Sequence, residues 1–237
     1  MIGKLIKNAE LFMLDIFFPN RCPFCGDFIM WNESCCEDCI DDLTPANDVI
    51  CHLCGQKKCR CYMEDYAFDR IYAAFFFDEI KDAVYSFKQD GNPNLAELAA
   101  QDCVSRMTED KIFKADMVVP VPMGINKKRK RGHNQAEILG KSIGEILDIP
   151  VKRDILFKYD TKDEQHHHTE AERKDRVEKI FYKGSADLSG KKIIICDDVM
   201  TTGSTLSMCA AMLKDMGAEY VAAVVCAVTR LKQEKGA

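Results

Sequence analysis

The chain has 237 residues, 47% of them hydrophobic, which suits a soluble chain with one moderate domain and a small companion. Its net charge of −5 and pI near 5.6 exclude nucleic-acid binding by bulk positive charge, so any such contact needs a local basic patch. No apolar run approaches the length of a membrane span.

The first 20 residues are interrupted by Lys4, Lys7, Glu10 and Asp15, which makes a poor signal peptide and predicts a cytoplasmic protein. Ile2, Leu5, Ile6, Ala9, Met13, Ile16 and Phe17 fit an amphipathic helix over 1–20, docked on the rest of the protein in preference to a membrane surface. Of the 13 cysteines, all but Cys103, Cys196, Cys209 and Cys226 fall between Cys22 and Cys61. Those four sit in apolar or helical patterns as small buried hydrophobes.

In a reducing compartment the remaining cluster reads as metal ligands. Cys22-Pro23-Phe24-Cys25-Gly26 is a C-x-x-C-G knuckle, and Cys36 and Cys39 repeat the x-x spacing. Cys22, Cys25, Cys36 and Cys39 therefore form a four-thiolate tetrahedral site, with Cys35 a spare or alternative ligand; a closed site of this kind is structural. A thioredoxin-like redox pair is the competing reading, and two such pairs in a Gly/Pro/Asp-rich stretch argue against it. Cys51 and Cys54 repeat the knuckle and are followed by Cys59 and Cys61, predicting a second zinc, with His52 an alternative ligand. A segment so poor in aliphatics, residues 21–64, needs metal to fold and reads as a double zinc ribbon.

From Phe68 the composition changes, and 65–232 reads as the larger domain, with 233–237 a tail. Ile71 to Phe77 is strand-like; Ile80, Val84 and Phe87 mark a helix ending at Lys88-Gln89-Asp90-Gly91; Leu95, Leu98, Ala99, Cys103 and Met107 mark the next. Lys88 beside Gly91 is a candidate anion contact, against the plain reading of a solvated helix-end lysine. Met117 to Pro122 is a strand that breaks into the run Lys127-Lys128-Arg129-Lys130-Arg131, read as a strand-to-helix loop, before a helix on Leu139, Ile143 and Leu147. Such a run is an anion site or a nucleic-acid contact, or else a solvated charged loop.

Val151 to Phe157 is a further strand, and Thr161 to Phe181 is a charged segment whose His166, His167 and His168 read as exposed loop or helix-start residues. Ile193 to Cys196 then form a doubly buried strand leading into Asp197 and Asp198. Thr201-Thr202-Gly203-Ser204-Thr205 follow as a turn of small hydroxyl residues, before a helix on Leu206, Cys209, Ala210 and Leu213 and a strand from Tyr220 to Val228. A helix N-terminus favours phosphate, Gly203 permits close backbone approach and the hydroxyls can donate. Two adjacent carboxylates want a cation or hydroxyl donors, which a sugar diol provides and Mg²⁺ assists. The stretch therefore reads as a site for a phosphorylated sugar; it lacks the P-loop pattern.

CDDVMTTGST resembles the phosphoribosyl pyrophosphate (PRPP) signature of type I phosphoribosyltransferases. The resemblance implies that Asp197 and Asp198 bind ribose hydroxyls and that Thr201, Thr202, Gly203, Ser204 and Thr205 wrap the 5′-phosphate. V-P-V-P…R-x-R-G-x-N-Q-A, carried by Arg129, Arg131, Gly132, Asn134 and Gln135, is similar to the ComF/GntX family, with His133 where that family usually has phenylalanine. Thr161, Gln165, Arg173, Val177 and Phe181 extend the match, and Arg176 replaces an asparagine. The family joins a double zinc ribbon to a type I phosphoribosyltransferase-like α/β domain with a mostly parallel sheet. By resemblance the loop after Pro122, with Arg129 and Arg131, and Lys88 as a further contact, holds pyrophosphate, and 161–181 forms the hood.

The implied activity is transfer of ribose 5-phosphate from Mg²⁺-bound PRPP to an amine acceptor that no residue identifies. The implied setting is competence, the handling of single-stranded DNA after uptake. The alternative is a non-catalytic protein that binds single-stranded DNA or adapts a helicase or recombination protein of the uptake machinery. No row of stacking aromatics can be placed from the sequence.

Overall fold

The computed structural model describes residues 15, 17–46, 51, 66–109, 114–160 and 181–230. The elements are α1 (Glu37–Asp42), β1 (Arg70–Phe76), α2 (Lys81–Asp90), α3 (Asn94–Glu109), β2 (Met117–Pro120), α4 (Ile125–Arg131), α5 (Gln135–Leu147), β3 (Leu156–Lys158), β4 (Phe181–Lys183), β5 (Lys192–Met200), α6 (Ser204–Asp215) and β6 (Tyr220–Val228).

Apolar runs with no polar alternation predict strands covered on both faces, and the central sheet has that arrangement. Its order is β1-β6-β5-β2, with every pair parallel. Ile193 and Ile195 face one core with Leu206, Cys209, Ala210 and Leu213 of α6 and with Leu156 and Phe181 of the β3–β4 pair. Ile194 and Cys196 face the other core with Phe87 of α2, Leu95 and Cys103 of α3, and Leu139 and Ile143 of α5. Each large aliphatic side chain so enclosed contributes about 1.5–3 kcal/mol, and this three-layer stack holds the β5–α6 junction rigid. All four cysteines outside the N-terminal cluster, Cys103, Cys196, Cys209 and Cys226, are buried.

Three segments depart from the sequence reading. The expected strand over 151–157 is divided: Val151 bridges to Val118 beside β2, and only Leu156–Lys158 pairs, antiparallel, with β4. β5 does not stop at Cys196 but continues through both acids to Met200, because its pairing with β6 runs on to Met200↔Val228. The basic run is not a loop. It is helix α4, closed at Gly132 by a left-handed turn whose N–H returns to Lys128 O, and Lys and Arg are good helix formers favoured in a last turn.

The cysteine-rich segment packs on the outside of α3 and β1. Buried Asn94 donates through Nδ2 to Asn20 Oδ1 at 2.7 Å and to Arg21 O at 2.9 Å, and Ser34 Oγ donates to Glu97 Oε2 at 3.0 Å. Phe24 meets Phe75 edge-to-face at 6.2 Å, and Ala46 N bonds Ala74 O at 2.9 Å, covering the edge of β1. Cys54, Cys59, Cys61 and His52, residues 1–14 of the helix expected over 1–20, residues 161–180 of the charged segment and the tail lie outside the described residues. Among the described residues no helix is long and apolar enough to cross a membrane.

Candidate functional sites: a thiolate cluster and an acid-floored cleft

Within residues 17–46 only Cys22 and Ala46 are buried, so this segment has no apolar core of its own. What it has instead is a cluster: the Sγ atoms of Cys22, Cys25, Cys36 and Cys39 all lie within 4.8 Å of one another. Cys25 and Cys36 are 3.7 Å apart and Cys36 and Cys22 3.6 Å. A tetrahedral zinc with bonds of about 2.3 Å separates its sulfurs by about 3.8 Å, so the geometry fits that ion. Burial works against ionising Cys22, but the backbone N–H groups of Cys36, Cys25 and Phe24 outweigh it and lower its pKa to about 6. Cys35 stands outside the quartet; burial, the bond to Cys22 and the charge on Cys22 push it up to about 12.

The second site lies at the carboxyl ends of the strands, where ligands collect in open parallel sheets. A cleft of about 220 Å³ is lined by Asp197 and Asp198 from β5, Thr205 from α6, Lys88 from α2, Lys127 and Arg131 from α4, Asn134 and Gln135 from the start of α5, and Lys158 and Phe181 from the β3–β4 pair. Four cations thus surround two carboxylates. Burial raises the Asp197 carboxyl to about 8, with the neighbouring charge of Asp198 adding to the effect and Lys88 opposing it. Lys88 Nζ sits 3.0 Å from Asp198 Oδ2. Such a floor accepts hydroxyl protons or a cation, and such a wall binds phosphate.

The wall is fixed from behind. Asn134 caps α5 by accepting from Ala136 N at 3.2 Å and donates to Val121 O at 3.1 Å, tying the loop after β2. Gln135 is buried, donates to Phe87 O at 3.3 Å and accepts from Arg131 at 2.9 Å, so it links the last turn of α2 to the cleft arginine. His133, where the resemblance expects phenylalanine, packs flat on Gly91: a Cβ there would lie 2.8 Å from its ring.

The hydroxyl loop is shaped by Gly203, whose φ of 78° is left-handed and whose Cα is overlain by Tyr66; an added Cβ would meet the tyrosine ring at 2.7 Å and Met200 Cε at 2.8 Å. Thr202 Oγ1 and Ser204 Oγ are 2.8 Å apart. Of this stretch Thr205 lines the cleft, while Thr201, Thr202 and Ser204 are exposed beside it.

Comparison with known proteins matches residues 109–236, more than half of the chain, to the phosphoribosyl transferase domain. The chain belongs to that family. Residues 13–68 match the double zinc ribbon domain. The phosphoribosyl transferase chain is 23% identical to "Competence protein F" of Haemophilus influenzae over 86% of its own length and 95% of that protein. It is 27% identical to "Competence protein ComFC" of Bacillus subtilis over 78% and 80% of the two chains. It is 28% identical to "DNA utilization protein YhgH" of Salmonella typhimurium over 54% and 56%. The combination of domains and relatives is that of the ComF/GntX family.

The fold of this family member brings Asp197, Asp198, Thr205, Lys88 and Arg131 to one cleft and leaves Arg129 outside it, exposed. Positions 127 and 131 are one helical turn apart and share a face of α4, whereas 129 projects from the other side. Sequence patterns do not single out Lys158 or Tyr66. Lys158 reaches the cleft only because β3 pairs Lys158 opposite Phe181. Lys127 joins Arg131 in the cleft only through the helical phase of α4, which a run of five basic residues does not reveal.

Proposed function

We propose that this protein binds PRPP with Mg²⁺, placing the ribose hydroxyls on Asp197 and Asp198, the 5′-phosphate on the loop Thr201–Thr205, and the pyrophosphate among Lys88, Lys127 and Arg131. The observation that supports this most is the pair of carboxylates at the end of β5 facing a cleft with four cations. Mg²⁺ would answer the crowding of the two acids, where burial first and the charge of Asp198 second raise the Asp197 carboxyl. Bound this way, PRPP can pass its ribose 5-phosphate to an amine: the C1–N bond forms as the C1–O bond to pyrophosphate breaks, the electron pair leaves on pyrophosphate, and the surplus proton on the new nitrogen passes to water or to the departing pyrophosphate. That step needs little from a protein nucleophile. It needs the diol and 5′-phosphate held still and the leaving charge met by Lys88, Lys127 and Arg131. The ribbon holds structural zinc at Cys22, Cys25, Cys36 and Cys39, with Cys51, Cys54, Cys59 and Cys61 assigned to a second ion, and the module boundary near residue 64.

The test is chemical: the zinc-loaded protein is incubated with PRPP, Mg²⁺ and a panel of amine acceptors while pyrophosphate is assayed. Acceptor-dependent release supports transfer; PRPP binding without release under any acceptor reduces the proposal to a PRPP-binding protein.

A second reading is single-stranded DNA handling within a DNA-uptake apparatus, in cooperation with a helicase or recombination protein. It takes its direction from the names of the relatives and from α4, where Arg129 and Lys130 are exposed.

A further inference from the structure

The β3–β4 pair has two unlike faces. Phe181 and Lys158, opposite one another, point to the cleft. Alternation along a strand sends Phe157 and Tyr182, also opposite one another, to the other side. There they stack, with ring centroids 5.0 Å apart and planes at 16°. Tyr159 extends the stack, 4.2 Å from Tyr182 at 27°.

Phe157 and Tyr182 explain themselves as a directly opposed cross-strand pair, worth about 0.2–1 kcal/mol to the ladder. Tyr159 does not. It lies one residue beyond Lys158, the last paired position, and remains 56% exposed while Tyr182 backs its ring. The next residue, Asp160, accepts from Asn126 N through both carboxylate oxygens, at 3.2 and 3.0 Å, so the end of the aromatic row is fastened to the start of α4. On α4, Lys128 is bound to Glu137, which also receives Arg153, while Lys127 and Arg131 turn into the cleft. That leaves Arg129 and Lys130 exposed, and among the described residues neither has a carboxylate partner.

Resting on the single-strand reading above, we infer that Tyr159, backed by Tyr182 and Phe157, is a stacking platform for an unpaired base of single-stranded DNA, with Arg129 and Lys130 on the adjoining phosphates. Rigid rings and cations that have no carboxylate partner among the described residues suit a flexible polyanion with exposed bases; an acidic or purely apolar partner would leave one half of this surface unmatched. The surface faces away from the PRPP cleft, so the strand and PRPP bind together without competing.

The test is anisotropy of a fluorescent oligothymidylate against the full-length, zinc-loaded protein, with thermal melts confirming that each variant is folded. Tyr159→Ala should weaken binding about tenfold, and Tyr159→Phe should retain it. Arg129→Gln with Lys130→Gln should flatten the dependence of log K on log salt by about 0.7 for each phosphate that is no longer neutralised. Saturating PRPP should leave the affinity unchanged. Binding by the parent that neither Tyr159→Ala nor the double neutralisation alters overturns this location while the single-strand reading stands. No binding by the parent overturns both.

Discussion

Lys88 Nζ lies 3.0 Å from Asp198 Oδ2, so one cation of the cleft is already paired with one of its acids before any ligand arrives. Under the proposed function PRPP would exchange that pair, its hydroxyls taking over Asp198 as its phosphates drew Lys88. The side chains are 26% and 18% exposed, so solvent and salt screen the pair less than they screen a surface ion pair.

Lys88→Met leaves two adjacent carboxylates without this cation and the pyrophosphate without a donor. PRPP affinity should fall roughly tenfold to a hundredfold, the value of one charge-assisted hydrogen bond. Calorimetric titration of the folded variant measures it, and an unchanged affinity would remove Lys88 from the site.

Asp197 gives a pH signature. Its folded-state pKa is raised from 3.8 to about 8, so the unliganded protein prefers its proton more than the unfolded chain does. This contribution to stability is complete below about pH 4 and is lost as pH rises to about 8. Asp197→Asn keeps the neutral form at every pH, and thermal melts of the unliganded variant should therefore lose this decline. Near pH 8 its Tm should exceed that of the parent by about 2–4 °C for each kcal/mol relieved. Parallel melting curves for the two proteins across this range would contradict the assignment.

The thiolate cluster separates ligands from bystander. Cys36→Ser should lower the bound zinc by one ion per chain and release the 17–46 segment, because that segment buries so little and a structural zinc supplies about 10–16 kcal/mol of folding free energy. Cys35→Ser should keep the zinc content of the parent. Metal analysis with limited proteolysis reads both, and equal zinc loss in the two variants would place Cys35 among the ligands.

Gly203→Ala puts a Cβ into Tyr66 and Met200 at a left-handed φ, so about 1–3 kcal/mol of stability should be lost and PRPP binding weakened as the loop shifts. Adding Tyr66→Ala removes the contact with the tyrosine ring, though not that with Met200 Cε, and should recover part of the loss. Denaturant unfolding of the single and double variants decides this; no recovery would assign the loss to the backbone angle and Met200 and not to Tyr66.

Much of this site can be read from residues, for physical reasons. Spacing identifies Cys22, Cys25, Cys36 and Cys39 because a tetrahedral ion dictates it. Asp197, Asp198 and the hydroxyl loop stand out because a doubly buried strand loses its apolar cover where its residues turn polar, although the pairing of β5 itself runs on through both acids to Met200. Arg129 illustrates the limit. Five consecutive bases carry no phase, and only the helix of α4 sorts Lys127 and Arg131 inward from Arg129 outward. Lys158 depends on strand pairing with Phe181, twenty-three positions further along the chain, which no local pattern encodes. The aromatic row is hidden for the same reason, since Phe157 and Tyr159 meet Tyr182 only across the ladder.

The PRPP cleft is probed most directly by calorimetry of PRPP with Mg²⁺ on the parent and on Asp197→Asn/Asp198→Asn. One site per chain is expected in the parent, with a loss of at least about a hundredfold in the double variant, since two groups that each meet a hydroxyl are removed. Absence of binding by a folded, zinc-loaded parent, or equal binding by both proteins, would contradict the cleft as a PRPP site.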